Sequence, residues 1–135
     1  MPQSAADPSR AVKGRIARAR IVSVEDEEDF RCLLREWLSP DYDFISLPHG
    51  EELLQEVDCL QPDLVMLDIG LPGPDGLRLC ERLRRRPNLN KVPILILTGR
   101  QDDEAYIDSF AAGATSFLPK PVTRGDLMGR IRKLL

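Results

Sequence analysis

The chain of 135 residues is long enough for one domain with a single hydrophobic core and too short for two ordinary domains. Apolar residues make up 42% of it and charged residues 30%, as is typical of globular proteins, and no apolar run approaches the ~20 residues that a membrane helix requires. The net charge of −3 conceals an asymmetry, because residues 1–20 sum to +4 and the rest to −7, and an acidic body argues against nucleic acid as the partner of the domain itself.

Residues 1–19 combine prolines and spaced basic residues with no sustained apolar face. We therefore expect a flexible basic N-terminal extension ahead of one domain over residues 20–135. A basic arm that binds an acidic partner, a membrane surface or nucleic acid is the alternative. Because the N-terminus lacks the apolar block of a signal peptide, the sequence predicts a cytoplasmic protein without a membrane span.

The three cysteines, Cys32, Cys59 and Cys80, are odd in number and too widely spaced for a C-x-x-C metal or redox pair. Free cysteine in a cytoplasmic protein behaves as a small hydrophobic residue. We expect all three to be buried, reduced thiols.

From residue 20 onward, short apolar runs alternate with amphipathic segments. The apolar runs predict five strands, at Ile21–Val24, Phe44–Leu47, Leu64–Leu67, Val92–Leu97 and Thr115–Leu118. The amphipathic segments predict five helices, the first ending before Pro40 and the others at His49–Leu60, Gly76–Arg86, Asp102–Ala112 and Val122–Leu135. The arginines at positions 84–86 are interpreted as the solvated end of the third helix, with a binding patch as the alternative. Strict alternation of this kind predicts an α/β fold with a parallel sheet.

Polar side chains follow four of the five predicted strands. Glu25 and Asp26 follow the first strand, Asp68 the third, Thr98 the fourth and Lys120 the fifth. All strands of a parallel sheet point the same way, so we expect these residues to gather at one edge, where ligands bind in open α/β sheets.

Carboxylates that share a crevice repel one another or recruit a cation, and their hard oxygens suit Mg²⁺. We interpret Asp68 as a nucleophile that becomes transiently phosphorylated. Lys120 and the Thr98 hydroxyl would then contact the phosphoryl oxygens. Taken singly, each residue has a simpler explanation, since acids after strands often cap helices, threonines often lie in turns, and most lysines are on the surface.

The chain resembles the receiver domain of two-component response regulators, the CheY-like superfamily, over essentially all of residues 20–135. The matching segments are Val24–Glu27, Leu67–Gly76, Leu97–Thr98, Ala112–Ala114 and Phe117–Pro121. The resemblance implies a flavodoxin-like, doubly wound sheet of five parallel strands in the order 2-1-3-4-5, with five helices.

The resemblance also implies roles for the site residues. Asp68 would be the phosphoacceptor, with Glu25, Asp26, Asp68 and the backbone carbonyl of Gly70 holding Mg²⁺. Thr98 and Phe117 would form the family's switch pair, and Lys120 would contact the phosphoryl group. The bond between Lys120 and Pro121 would be cis.

By the same resemblance, the chain takes its phosphoryl group from a sensor histidine kinase or a histidine phosphotransfer protein. Phosphorylation would alter the face formed by the fourth helix, fifth strand and fifth helix, for a downstream protein target or a homodimer. The expected chemistry is limited to self-phosphorylation and self-dephosphorylation, so the chain is not expected to be an enzyme for outside substrates. The alternatives are a phosphatase, which would need a second acid where Gly70 stands, and a pseudo-receiver that acts as an interaction module without phosphorylation.

Overall fold

The computed structural model describes residues 18–70, 76–99 and 102–135, and within these ranges five strands alternate with five α-helices. The strands are β1 (Arg20–Val24), β2 (Asp43–Leu47), β3 (Leu64–Leu67), β4 (Ile94–Thr98) and β5 (Ser116–Pro119). The helices are α1 (Glu28–Leu38), α2 (Gly50–Leu60), α3 (Gly76–Arg84), α4 (Asp103–Ala111) and α5 (Arg124–Leu134). Almost all of the predicted N-terminal extension lies outside the described residues. No helix within the ranges given above has the length and apolar character needed to cross a bilayer.

The strands form one parallel sheet in the order β2-β1-β3-β4-β5. The predicted sheet and the order implied by the family resemblance are both confirmed. Val24 of β1 pairs with Leu67 of β3, and Thr98 of β4 pairs with Pro119 of β5. The residues that follow these strands are therefore presented at one edge.

The hydrophobic core has two layers, one on each face of the sheet. Helices α1 and α5 cover one face, and α2, α3 and α4 cover the other. Neighbouring strand residues alternate between the layers, as when Ile21 packs with the first layer and Val22 with the second. All four residues of β3 are buried, which explains why its sequence is continuously apolar. Burial of each such side chain contributes roughly 1.5–3 kcal/mol.

Local sequence signals explain where α5 begins and where α3 ends. Helix α5 begins at Arg124 because the Thr123 side chain caps it, accepting a hydrogen bond from the Asp126 N–H at 3.0 Å. Helix α3 ends at Arg84, two residues earlier than predicted. Arg86 precedes a proline and is extended, which stops the helix before the 3₁₀ turn at Pro87–Leu89.

The structure corrects the expectation that all three cysteines are buried. Cys80 is fully buried in α3, whereas Cys32 of α1 and Cys59 of α2 are exposed. Both exposed thiols lie on the outer faces of helices that cover the sheet, where an isolated cysteine meets solvent. All three thiols are free.

The interpretation of residues 84–86 as a solvated helix end is wrong for two of the three arginines. Arg84 is partly buried, and its guanidinium donates hydrogen bonds to the carbonyl oxygens of Gly113 and Leu89, both at 2.8 Å. Arg86 donates to the Asp58 carboxylate at 2.9 Å. Arg85 alone is exposed. The cluster therefore joins α3 to neighbouring elements.

Candidate functional site

Three carboxylates meet at the carboxyl edge of the sheet, where β1 and β3 lie side by side. Because Val24 pairs with Leu67, Glu25 and Asp68 follow residues that are level with each other. Oxygen atoms of Glu25, Asp26 and Asp68 lie within 4.8 Å of one another. Glu25 is buried, Asp26 is exposed and Asp68 is half-buried. The structure thus brings together the three carboxylates that sequence reasoning assigned to strand ends.

Lys120 follows β5 and reaches across the end of β4 to the carboxylates. Its backbone N–H donates to the Thr98 carbonyl at 2.7 Å, and the bond to Pro121 is cis, as the resemblance implied. Its Nζ donates to Glu25 Oε1 at 2.9 Å and to Asp68 Oδ2 at 3.1 Å. Since 20% of the Lys120 side chain and 3% of the Glu25 side chain are exposed, solvent screens this ion pair weakly.

The charges in this cluster are not fully balanced by Lys120. Burial raises the pKa of Glu25 by more than the hydrogen bond and positive charge of Lys120 lower it. For Lys120, burial acts to lower the pKa, but the hydrogen bonds and negative charges of Glu25 and Asp68 together outweigh burial and raise the pKa. Lys120 is therefore a cation at neutral pH. The cluster holds three carboxyl groups beside this one ammonium, so its oxygens can bind a further cation.

Both oxygens of Asp68 are held. The Gly70 backbone N–H donates to Asp68 Oδ1 at 2.9 Å, while Lys120 contacts Oδ2. Sequence reasoning singled out the Gly70 carbonyl and did not anticipate the role of its N–H. These contacts fix the orientation of the Asp68 carboxylate at the mouth of the site.

Thr98 and Phe117 stand on the adjacent strands β4 and β5. Thr98 is buried at the end of β4. Phe117 is half-buried, and its ring packs edge-to-face against Tyr106 of α4 with centroids 5.6 Å apart. Phe117 thus links the site edge of the sheet to the surface of α4.

The first turn of α1 supplies two contacts that sequence reasoning missed. The Arg31 guanidinium donates to the backbone carbonyls of Glu25 and Asp26 at 3.0 and 3.2 Å. The ring centroid of Phe30 lies 4.5 Å from the Nζ atom of Lys120. The sequence showed Phe30 as an apolar helix position, and nothing in its spacing indicated a contact with a residue 90 positions away.

Gly76, at the start of α3, is a third residue that shapes the site beside Asp68. A Cβ atom at this position would lie 2.2 Å from the Asp68 carbonyl oxygen and 2.7 Å from the Cα atom of Ile69. Only glycine allows the backbone of α3 to approach the chain beside Asp68 so closely. The sequence pointed to Gly76 only because it ends the segment Leu67–Gly76 that matches the family.

Residues 21–132 match the sequence profile of the response regulator receiver domain. This chain belongs to that family. It is a receiver domain of two-component signal transduction, and the order of its strands is that of the CheY-like flavodoxin fold. Receiver domains of this family interact with histidine kinases.

The receiver domain is similar to proteins that differ in overall length. It is 36% identical to the phosphate regulon transcriptional regulatory protein PhoB of Rhizobium meliloti over 86% of this chain and 52% of that protein. The chain thus spans about half the length of this curated relative. The structure of the chemotaxis protein CheY4 of Vibrio cholerae superposes with a TM-score of 0.84 at 25% identity, covering 88% of this chain and 100% of the other. The BeF₃-activated N-terminal receiver domain of RstA from Klebsiella pneumoniae gives a TM-score of 0.78 at 34% identity, covering 85% and 97%.

Proposed function

We propose that this receiver domain is a phosphorylation-driven switch whose Asp68 accepts a phosphoryl group from a sensor histidine kinase or a histidine phosphotransfer protein. One observation carries the proposal: the Asp68 carboxylate touches the Lys120 ammonium at 3.1 Å and shares a 4.8 Å cluster with Glu25 and Asp26. A nucleophilic carboxylate is thereby placed beside a positive charge suited to phosphoryl oxygens and acidic oxygens suited to a cation.

The transfer step exchanges one bond for another. An oxygen of the Asp68 carboxylate forms a bond to phosphorus, and the phosphorus–nitrogen bond of the donor phosphohistidine breaks. The bonding electron pair stays on the ring nitrogen, which leaves as neutral imidazole when the other ring nitrogen carries a proton. The product is an acyl phosphate on Asp68, and the chain itself need not supply a general acid.

The acidic cluster fits Mg²⁺, since Glu25, Asp26 and Asp68 offer hard oxygen ligands and Asp26 is open to solvent. We propose that these side chains and the Gly70 carbonyl hold the ion. When bound, Mg²⁺ offsets the negative charge of the phosphoryl oxygens. The ammonium of Lys120 neutralises part of the same charge, and the Thr98 hydroxyl donates a hydrogen bond to a phosphoryl oxygen.

The switch is proposed to pass through Thr98 and Phe117. When the Thr98 hydroxyl moves toward the phosphoryl group, the space beside it becomes available to the Phe117 ring, which swings inward. Because Phe117 packs against Tyr106, this movement changes the surface of α4, β5 and α5. A downstream protein or a second copy of the chain would read that surface.

We assign the domain to the cytoplasm, where histidine kinases draw on ATP. Nucleic acid is not proposed as a partner of this domain, because residues 21–135 sum to −7. A phosphatase that uses an aspartyl nucleophile would need a second acid two residues after it to protonate the leaving group, and position 70 is glycine. A pseudo-receiver would lack part of the acidic cluster or the lysine, and all of these side chains are present.

The proposal is tested by phosphorylation with acetyl phosphate in the presence of Mg²⁺, followed by intact-mass spectrometry. Wild type is expected to gain one phosphoryl group and Asp68→Asn none. Chelation of Mg²⁺ is expected to slow uptake roughly tenfold or more, because the charge on the phosphoryl oxygens is then less well offset.

The matched control is Asp41→Asn, the same chemical change at an exposed carboxylate in the turn between α1 and β2. Its phosphorylation should equal that of wild type. Absence of uptake by wild type, or equal uptake by wild type and Asp68→Asn, would refute the proposal and favour the pseudo-receiver.

A further inference from the structure

The Lys120 ammonium makes a contact of a different kind from its ion pairs with Glu25 and Asp68. Its Nζ atom lies 4.5 Å from the ring centroid of Phe30. This is within the ~6 Å over which an ammonium is attracted to the negative face of an aromatic ring. The ring stands on α1, whereas Glu25 and Asp68 follow β1 and β3. The lysine is therefore contacted from three separate elements.

The ring contact differs from the contact with Asp68 in one consequential way. Phosphorylation converts the Asp68 carboxylate into an acyl phosphate, which alters the oxygen that Lys120 now holds at 3.1 Å. The Phe30 ring is chemically unchanged by that step. A lysine side chain carries a point charge on a flexible stem. A partner that stays fixed therefore restricts the conformations of Lys120 both before and after phosphoryl transfer.

Phe30 itself is well anchored. Its ring packs against the apolar layer formed by α1, α5 and the sheet. The next residue, Arg31, is hydrogen-bonded to the carbonyls of Glu25 and Asp26, which ties the first turn of α1 to the loop that carries the acidic pair. The ring and the carboxylates thus belong to one local unit, and the ring holds its position relative to the site.

We propose that Phe30 is a positioning residue for Lys120, holding the ammonium beside Asp68 through a cation–π contact so that it meets the incoming phosphoryl oxygens. This inference rests on the proposed function, because it assigns Phe30 a role in phosphoryl uptake by Asp68. Phe30 does not touch the reacting atoms and acts only through Lys120.

The test compares Phe30→Leu with Phe30→Tyr, using the rate of phosphorylation by acetyl phosphate at saturating Mg²⁺. Leucine keeps an apolar side chain but has no ring, so the phosphorylation rate of Phe30→Leu is expected to fall about three- to tenfold below that of wild type. Tyrosine keeps the ring, and its rate should stay within about twofold of wild type. A rate for Phe30→Leu equal to that of wild type would overturn the proposal.

The matched control is Phe44→Leu. Phe44 of β2 packs against the same apolar layer, and its ring lies 5.9 Å from the guanidinium carbon of Arg35, away from Lys120. The same loss of a ring there should leave the phosphorylation rate unchanged. An equal fall in Phe44→Leu and Phe30→Leu would show a general packing effect and refute the positioning role.

Fluorinated phenylalanines at position 30 test the ring's charge distribution separately from its packing, because a pure packing role predicts no dependence of the phosphorylation rate on fluorination. Successive fluorine atoms weaken the negative face of the ring while barely changing its size, so the rate should fall stepwise with fluorination. A rate independent of fluorination would overturn the cation–π assignment.

Nuclear magnetic resonance separates this inference from the proposed function. In the unphosphorylated wild type, the Lys120 Hε protons should be shifted upfield by the Phe30 ring and lose that shift in Phe30→Leu. If the shift is present but wild type takes up no phosphoryl group, the proposed function fails while the contact stands. If uptake occurs and the shift is absent, the positioning role fails while the proposed function stands.

Discussion

At the scale of single residues, the site depends on a glycine that carries no chemistry. Gly76 is buried where α3 begins, and a Cβ atom there would lie 2.2 Å from the Asp68 carbonyl oxygen. The atoms in its way belong to the backbone, which cannot rotate aside as a side chain can. Any larger residue must therefore displace either the first turn of α3 or the chain that positions Asp68.

We predict that Gly76→Ala lowers the free energy of unfolding by about 1–3 kcal/mol, because it overpacks this contact. It should also slow phosphorylation of Asp68, since the carboxylate is attached to the backbone that must shift. Urea unfolding and the acetyl phosphate assay measure the two effects. Gly125→Ala is the control, because a Cβ atom on that helix residue meets nothing within 4 Å. Wild-type stability and rate in Gly76→Ala would contradict the prediction.

The sequence predicted the charged residues of the site better than it predicted their supports. Glu25, Asp68 and Lys120 could be placed together because each follows a strand, and parallel strands end at the same edge. The Phe30 contact with Lys120 depends on how α1 is rotated about its axis against the sheet. The apolar pattern identifies which face of α1 packs on the sheet, but it does not set the exact rotation. The constraint on Gly76 depends on interatomic distances that spacing along the chain does not contain.

At the scale of elements, the sequence predicted the strands better than it predicted the contacts between one element and the next. The five strands were predicted because continuous apolar runs bounded by turn residues leave few alternatives. The interpretation of the arginines at the end of α3 as solvated is wrong for Arg84 and Arg86, although charged residues at a helix end usually face solvent. Arg84 instead donates to Gly113 and Thr115 near the start of β5 as well as to Leu89 after α3. The loop that receives it comes 29 residues later, beyond the reach of any local pattern.

We predict that Arg84→Met destabilises the domain by about 2–3 kcal/mol, because it leaves partly buried carbonyl oxygens without their charged donor. Amide hydrogen exchange should quicken in the loop between α4 and β5, since Arg84 holds the Gly113 carbonyl at 2.8 Å. Arg85→Met is the matched control, with an expected change within about 0.5 kcal/mol, because Arg85 is exposed. Equal stability of the two variants would show that the Arg84 hydrogen bonds contribute nothing net.

At the scale of the whole molecule, the surface is uneven in its apolar content. Tyr106, Ile107 and Phe110 of α4 are 53%, 63% and 39% exposed, and the rings of Tyr106 and Phe110 pack edge-to-face with centroids 4.9 Å apart. Tyr106 also contacts Phe117, so this apolar patch is continuous with the proposed switch. Exposed apolar clusters of this kind are typical of interaction sites. The proposed switch would therefore connect a change at Asp68 to this apolar patch through Phe117 and Tyr106.

We predict that activation by Mg²⁺ and beryllofluoride raises the dimer fraction of wild type, because an inward movement of Phe117 alters the support beneath the α4 patch. Light scattering after size exclusion measures the mass in each state. Ile107→Asp should keep beryllofluoride binding but raise the dissociation constant of the dimer by about tenfold or more, since a carboxylate in an apolar interface costs more than ~1.4 kcal/mol to desolvate. Leu33 of α1 is 37% exposed, and α1 covers the opposite face of the sheet from α4. Leu33→Asp therefore places the same charge away from the α4 patch and should dimerise like wild type. If wild type binds beryllofluoride and its mass does not change, the homodimer is excluded as the output.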